Sequence, residues 1–145
     1  MLSISIDLVS PHWLLGDGMA WQSYTFAATQ LAAAALTNTV TLTALPAKTV
    51  VHAVVIKHSA AFGGGTIATY TVAVGITGSL AKYATAFDVF QAPGAAVAQV
   101  SSGGADVESF TAPVNLLLTA TATGGNLNTA TTGSVTVWVL TSVLP

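Results

Sequence analysis

Short runs in which apolar and polar side chains alternate, each closed by glycine or proline, constrain this chain more than any other feature. In Leu2-Ser-Ile-Ser-Ile-Asp-Leu8, the residues Leu2, Ile4, Ile6 and Leu8 fall on one side and Ser3, Ser5 and Asp7 on the other. A period of two is the geometry of an extended strand with one face buried. The same period recurs in Thr39 to Leu45 and in Thr66 to Ile76, and Tyr24 and Phe26 share one face of the extended run Trp21 to Thr29. Val50 to His58 and Gly133 to Thr141 are apolar on both sides through much of their length, which predicts central strands covered on both faces. Asn115 to Thr123 completes the clear late strands, and shorter extended runs are predicted at Phe87 to Phe90 and Val97 to Val100.

The breaks between runs carry turn chemistry. Pro11 with Gly16-Asp17-Gly18, Pro46, Gly63-Gly64-Gly65, Gly78, Pro93-Gly94, Gly103-Gly104 and Gly124-Gly125 supply the restricted or left-handed backbone that tight reversals need. Ala32 to Ala35 has helix propensity but neither caps nor an amphipathic face, so at most one short helix is expected there. About eight extended runs in one domain spanning residues 1–145 is the number expected of an all-β, two-sheet sandwich with jelly-roll-like connectivity. An immunoglobulin-like sandwich is the rival, although the cysteine pair of true immunoglobulin domains is missing. The 21 threonines lie mostly inside these runs, where a β-branched side chain favours a strand and its hydroxyl tolerates a wet face.

Charge is scarce. Apolar residues make up 52% of the chain and charged ones 6%, with a formal net charge of -2, so little is available to keep a free surface from associating. Burial of part of the surface by other subunits is the expected consequence. Lys48, Lys57 and Lys82 are the only lysines or arginines, too few to neutralise a run of phosphates, which argues against specific nucleic-acid binding. There is no cysteine, so disulfides and thiolate metal sites are both excluded. The alternating N-terminal run lacks the basic and apolar blocks of a signal peptide, and no apolar stretch approaches the length of a membrane-spanning helix.

A search for chemistry is short, because only three histidines and five carboxylates are present. His52 and His58 lie on the same strand face if that strand is unbroken, about 20 Å apart, too far to share a metal ion. Asp106 and Glu108 would present two carboxylates to one side of an extended segment, yet calcium needs six to eight oxygen ligands and no loop motif supplies them. The glycines before Thr66 lack the lysine and following helix of a phosphate loop, and no Gly-x-Ser-x-Gly elbow is present. No catalytic, cofactor-binding or metal-binding residue is assigned, and an enzyme is not expected. Among the aromatics, Tyr70 and Trp138 sit in apolar strands and read as core or subunit interface. Trp13, between Pro11 and Gly16, is the best candidate for an exposed anchor, with Trp21 and Tyr24 as further interface candidates.

The phrases Ala53-Val-Val-Ile-Lys-His-Ser-Ala-Ala-Phe62, the glycine turn with Thr66 to Ile76, Leu80-Ala-Lys-Tyr83 and Phe87-Asp-Val-Phe-Gln-Ala-Pro93 resemble small structural proteins of tailed bacteriophages. So do the threonine-rich strand after Asn115 and the closing Val135-Thr-Val-Trp-Val139. The likeness covers about residues 50 to 143 and is one of texture, with no diagnostic motif. It implies a virion protein of the capsid cement or decoration kind: a small sandwich or jelly roll, assembled as a trimer, bound to the major capsid protein on the outer surface of the head and carrying no cofactor. A tail, neck or fibre-associated component and a carbohydrate-binding or adhesion module are the alternatives.

Overall fold

The computed structural model describes residues 19–93, 99–102 and 109–145. Eight strands run in the order β1 (Ala20–Ala27), β2 (Thr37–Leu45), β3 (Thr49–Gly63), β4 (Thr69–Ile76), β5 (Ser79–Asp88), β6 (Gln99–Ser102), β7 (Val114–Thr123) and β8 (Thr132–Val143). They form two four-stranded sheets: sheet A in the order β1-β8-β3-β6 and sheet B in the order β2-β7-β4-β5.

That order has a simple origin. β1 pairs with β8, β2 with β7, β3 with β6 and β4 with β5, all antiparallel, so the chain is one long hairpin of four nested pairs wound into two sheets. This is the jelly-roll arrangement. The hairpin tip is the tight turn Thr77-Gly78, where Gly78 takes a positive φ of 85°. The lateral pairs β3/β8 and β4/β7, also antiparallel, close each sheet.

The inner faces meet in one apolar core. From sheet A come Val51, Val54, Ile56 and Phe62 of β3 with Val135, Val137 and Val139 of β8; from sheet B come Tyr70, Val72 and Val74 of β4 with Leu116, Leu118, Ala120 and Ala122 of β7. The Phe62 and Tyr70 rings pack across the sheets with centroids 4.7 Å apart. Gly133 explains how β8 begins: its φ is 136°, and a Cβ there would lie 2.4 Å from the Phe62 ring. Only glycine leaves both the backbone and that ring where they are.

Several expectations change against this frame. The stretch 79–86, which carries no predicted strand, is most of β5, and of the predicted short strand 87–90 only Phe87 and Asp88 belong to it. Shifts in the β4/β5 register put the consecutive residues Tyr83 and Ala84 both inside, so polarity does not follow a period of two there. The alanine patch 32–35 is not helical; a single 3-10 turn, Ala28–Gln30, precedes it. β3 and β8 are central in sheet A but are fully buried on one face only. Ala53, Val55, Trp138 and Leu140 on the other face are half-buried, so Trp138 is not a core residue. The predicted strand Leu2–Leu8, Trp13, Asp106 and Glu108 lie outside the described residues.

Candidate functional site

The two outer faces of the sandwich are built by the same alternation and differ in chemistry. On sheet A, Trp21 stands opposite Leu140, and Leu140 opposite Ala53; one row along, Ser23 faces Trp138 and Trp138 faces Val55. The backbone of β6 runs alongside, with Ser102 in register with Ala53 and Val100 with Val55. The result is an apolar patch centred on β8, with Trp21 at its β1 margin 50% exposed. Polar groups frame it. Thr25 and Thr136 share a hydrogen bond of 2.8 Å at one end, His52 and Ser142 one of 2.6 Å at the other, and Lys57 is exposed opposite Thr136.

On sheet B the corresponding face is mostly threonine. Thr37 and Thr39 of β2, Thr119, Thr121 and Thr123 of β7, and Thr69 and Thr71 of β4 lie side by side in register, with Leu117 opposite Thr41 and Ala73 opposite Thr119 as its apolar members. Hydroxyl pairs close between strands at 3.1 Å for Thr39 and Thr119 and at 2.6 Å for Thr69 and Thr123. Cross-strand pairs of this kind satisfy the hydroxyls locally and keep a sheet face compatible with water.

The predicted interface residues separate on this geometry. Trp21 belongs to the apolar outer face of sheet A, whereas Tyr24 pairs with Val137 on the inner face and is only part-buried; its hydroxyl donates to Gln22 Oε1 at 2.6 Å. Trp138 and Leu140 contribute more to the outer patch than sequence reasoning assigned them. Their signal was present, since Val135 to Thr141 carries large apolar groups on both parities, and it was read as burial on both sides.

His52 and His58 do not share a face. A register shift between Val51 and Ala53 turns His52 outward to Ser142, while His58 points inward, 5% exposed. His58 Nε2 lies 2.8 Å from the Gln91 carbonyl, which can only accept, so Nε2 carries the proton. Its Nδ1 is buried without a partner, and its ring meets Phe87 edge-on at 5.8 Å. This is a packed core histidine. Tyr70 is similar: its hydroxyl is buried without a hydrogen-bond partner, and burial pushes its pKa up to about 12.

Among the described residues no group of three His, Asp or Glu side chains is placed to hold a metal ion. One shallow depression, at the β4 end, is lined by Ile76, Thr77, Pro113, Val114 and Asn115; another lies between Ala20 and Gln22 of β1 and Leu45 of β2. Among the described residues, neither is lined by a histidine, lysine or carboxylate. No described helix is long and apolar enough to cross a membrane.

No family model matches the chain, and no curated protein matches it in sequence. Solved structures do. A chain of the Cyanophage Pam1 capsid asymmetric unit aligns with a TM-score of 0.63 at 24% identity, covering 89% of this chain and 89% of that one. A chain of the capsid of Ralstonia phage GP4 aligns with a TM-score of 0.56 at 16% identity, covering 87% of this chain and 86% of that one. What is shared is the fold. It extends over most of the length of both capsid chains.

Proposed function

We propose that the protein is a structural component of a bacteriophage virion, a cement or decoration subunit that self-associates as a trimer and binds the major capsid protein on the outer surface of the head. The observation that carries this reading is the opposite polarity of the two outer faces, on a fold shared with chains of solved phage capsids. A face bearing Trp21, Trp138, Leu140 and Val55 gains free energy when a neighbour removes it from water, at about 25 cal/mol per Å² of apolar area. The threonine face gains little by being covered and suits the solvent side. The protein then acts by joining surfaces and performs no catalytic step.

Co-sedimentation of the purified protein with assembled heads of the phage whose genome carries this sequence tests the reading. Saturable binding is expected. Leu140→Asp should weaken it at least tenfold, while Thr121→Asp on the opposite face should leave it within twofold. Absence of binding to heads, or binding to isolated tails instead, overturns the cement assignment.

A further inference from the structure

β1 is an edge strand whose inner face is unfinished. Its single strand neighbour among the described residues is β8, and the inward residues Tyr24 and Phe26 pair with the fully buried Val137 and Val135 yet remain part-exposed. Their other flank lies where a further strand of sheet A would stand. An edge strand also has a row of backbone N–H and C=O groups directed away from the sheet, ready to pair with another chain. The remaining edges are less suited: β6 has four residues, β5 carries Lys82, and on β2 the Asn38 amide is engaged with the Leu31 carbonyl at 3.2 Å.

The chain itself contains a segment of matching pattern. Leu2, Ile4, Ile6 and Leu8 alternate with Ser3, Ser5 and Asp7, so a strand formed there would carry one apolar and one polar face. Beside β1, the apolar set would continue the inward row of Tyr24 and Phe26, and the polar set would continue the outward row of Ser23 and Thr25. We propose that Leu2–Leu8 of a second copy adds to sheet A as a fifth strand along β1, so that neighbouring subunits are joined by strand exchange. Such strand addition takes its affinity from main-chain hydrogen bonds and its specificity from alternate side chains.

The length of the connection selects the second copy over the chain's own segment. Residues 9–18 separate Leu8 from the start of β1's approach at Met19. Hairpin loops typically have about two to five residues, whereas about ten extended residues span roughly 30 Å, enough to cross to a neighbour. Pro11 within the connection also favours an extended path. This inference deepens the self-association in the proposed function, and it is tested on purified protein with no phage present.

The chain has no cysteine, so introduced pairs report cleanly. Chains carrying Ser3→Cys, Ser5→Cys or Asp7→Cys are each mixed with chains carrying Ser23→Cys and oxidised gently; neighbouring strands bring such pairs within disulfide range. A covalent heterodimer from at least one mixture is expected, and the corresponding double variant should give linked oligomers. Ile4→Asp with Ile6→Asp should raise the self-association constant for dissociation at least tenfold while the β-sheet circular dichroism is unchanged. An intrachain disulfide in the double variants, or no disulfide in any mixture, overturns the proposal. A protein that crosslinks between chains but does not bind heads keeps this inference and removes the virion reading.

Discussion

The outer faces of sheets A and B obey the same period of two and end with opposite characters. On β7, Thr119, Thr121 and Thr123 turn outward while Leu118, Ala120 and Ala122 fill the core; on β8, Trp138 and Leu140 turn outward while Val137 and Val139 fill it. Both strands are central in their sheets, so position does not explain the contrast. What differs is the residue placed on the parity that the fold leaves free. Threonine keeps the β-branched shape that suits a strand and pairs its hydroxyl with its neighbour's. Tryptophan and leucine offer surface that water solvates poorly, and that surface is the part of the molecule open to selection for partners.

The comparison rests on the core lying between the two faces, and a core truncation gives the largest expected effect. Phe62→Ala should cost about 3 to 5 kcal/mol, the range for a buried phenylalanine, measured by urea unfolding. A loss below about 1 kcal/mol would mean that the sheets are not packed as described.

The outer faces themselves come next. Val55→Asp with Leu140→Asp should lower self-association or head binding at least tenfold, about 1.4 kcal/mol, whereas Thr37→Asp with Thr69→Asp, exposed on β2 and β4 and separated by β7, should leave both nearly unchanged. Equal effects from the two pairs would erase the distinction between the faces. Dilution series by analytical ultracentrifugation read the first quantity directly.

A polar atom on the wrong side of the contrast gives a smaller effect. The Tyr70 hydroxyl is buried with no partner, so Tyr70→Phe should be neutral or stabilising by up to about 1 to 3 kcal/mol. Its pKa lies at about 12 in the folded chain against 10.0 for the ordinary group, so the folded state holds its proton more tightly. The stability this contributes is intact below pH 10 and is lost as pH rises from 10 towards 12. The native protein should therefore lose more thermal stability than Tyr70→Phe over that interval. Smallest of all is the hydroxyl ladder: a double-mutant cycle on Thr39→Ala and Thr119→Ala should give a coupling of about 0.2 to 1 kcal/mol.

The fold was legible wherever polarity tracked the pleat. β2, β4, β7 and β8 follow the alternation or the apolar run that marked them, and Gly64, Gly65, Gly78, Gly124 and Gly125 fall between strands. β5 was hidden because alanine carries little polarity signal and because register shifts place Tyr83 and Ala84 inside together. The condition placed on His52 and His58, an unbroken strand, fails for a related reason: one extra residue in β3 reverses the parity, and no residue at Val51-His52-Ala53 announces it. Of the candidate site, Trp21 was found and Trp138 was taken for core or interface alike. A run that is apolar on both parities reports only that water is unwelcome on both sides, and whether the second side meets its own chain or another is decided at the level of the assembly.

The nested pairing also sets a timetable for biosynthesis. β8 is the last of the described strands to be synthesised, and it takes the place between β1, the first of them, and β3. Until it arrives sheet A is split, and the row that joins Trp21 to Val55 through Leu140 and Trp138 does not exist. A chain without β8 therefore lacks this continuous apolar row. That row is completed in the same step that brings β1 and β3 into one sheet, so the outer face and the core beneath it are finished together.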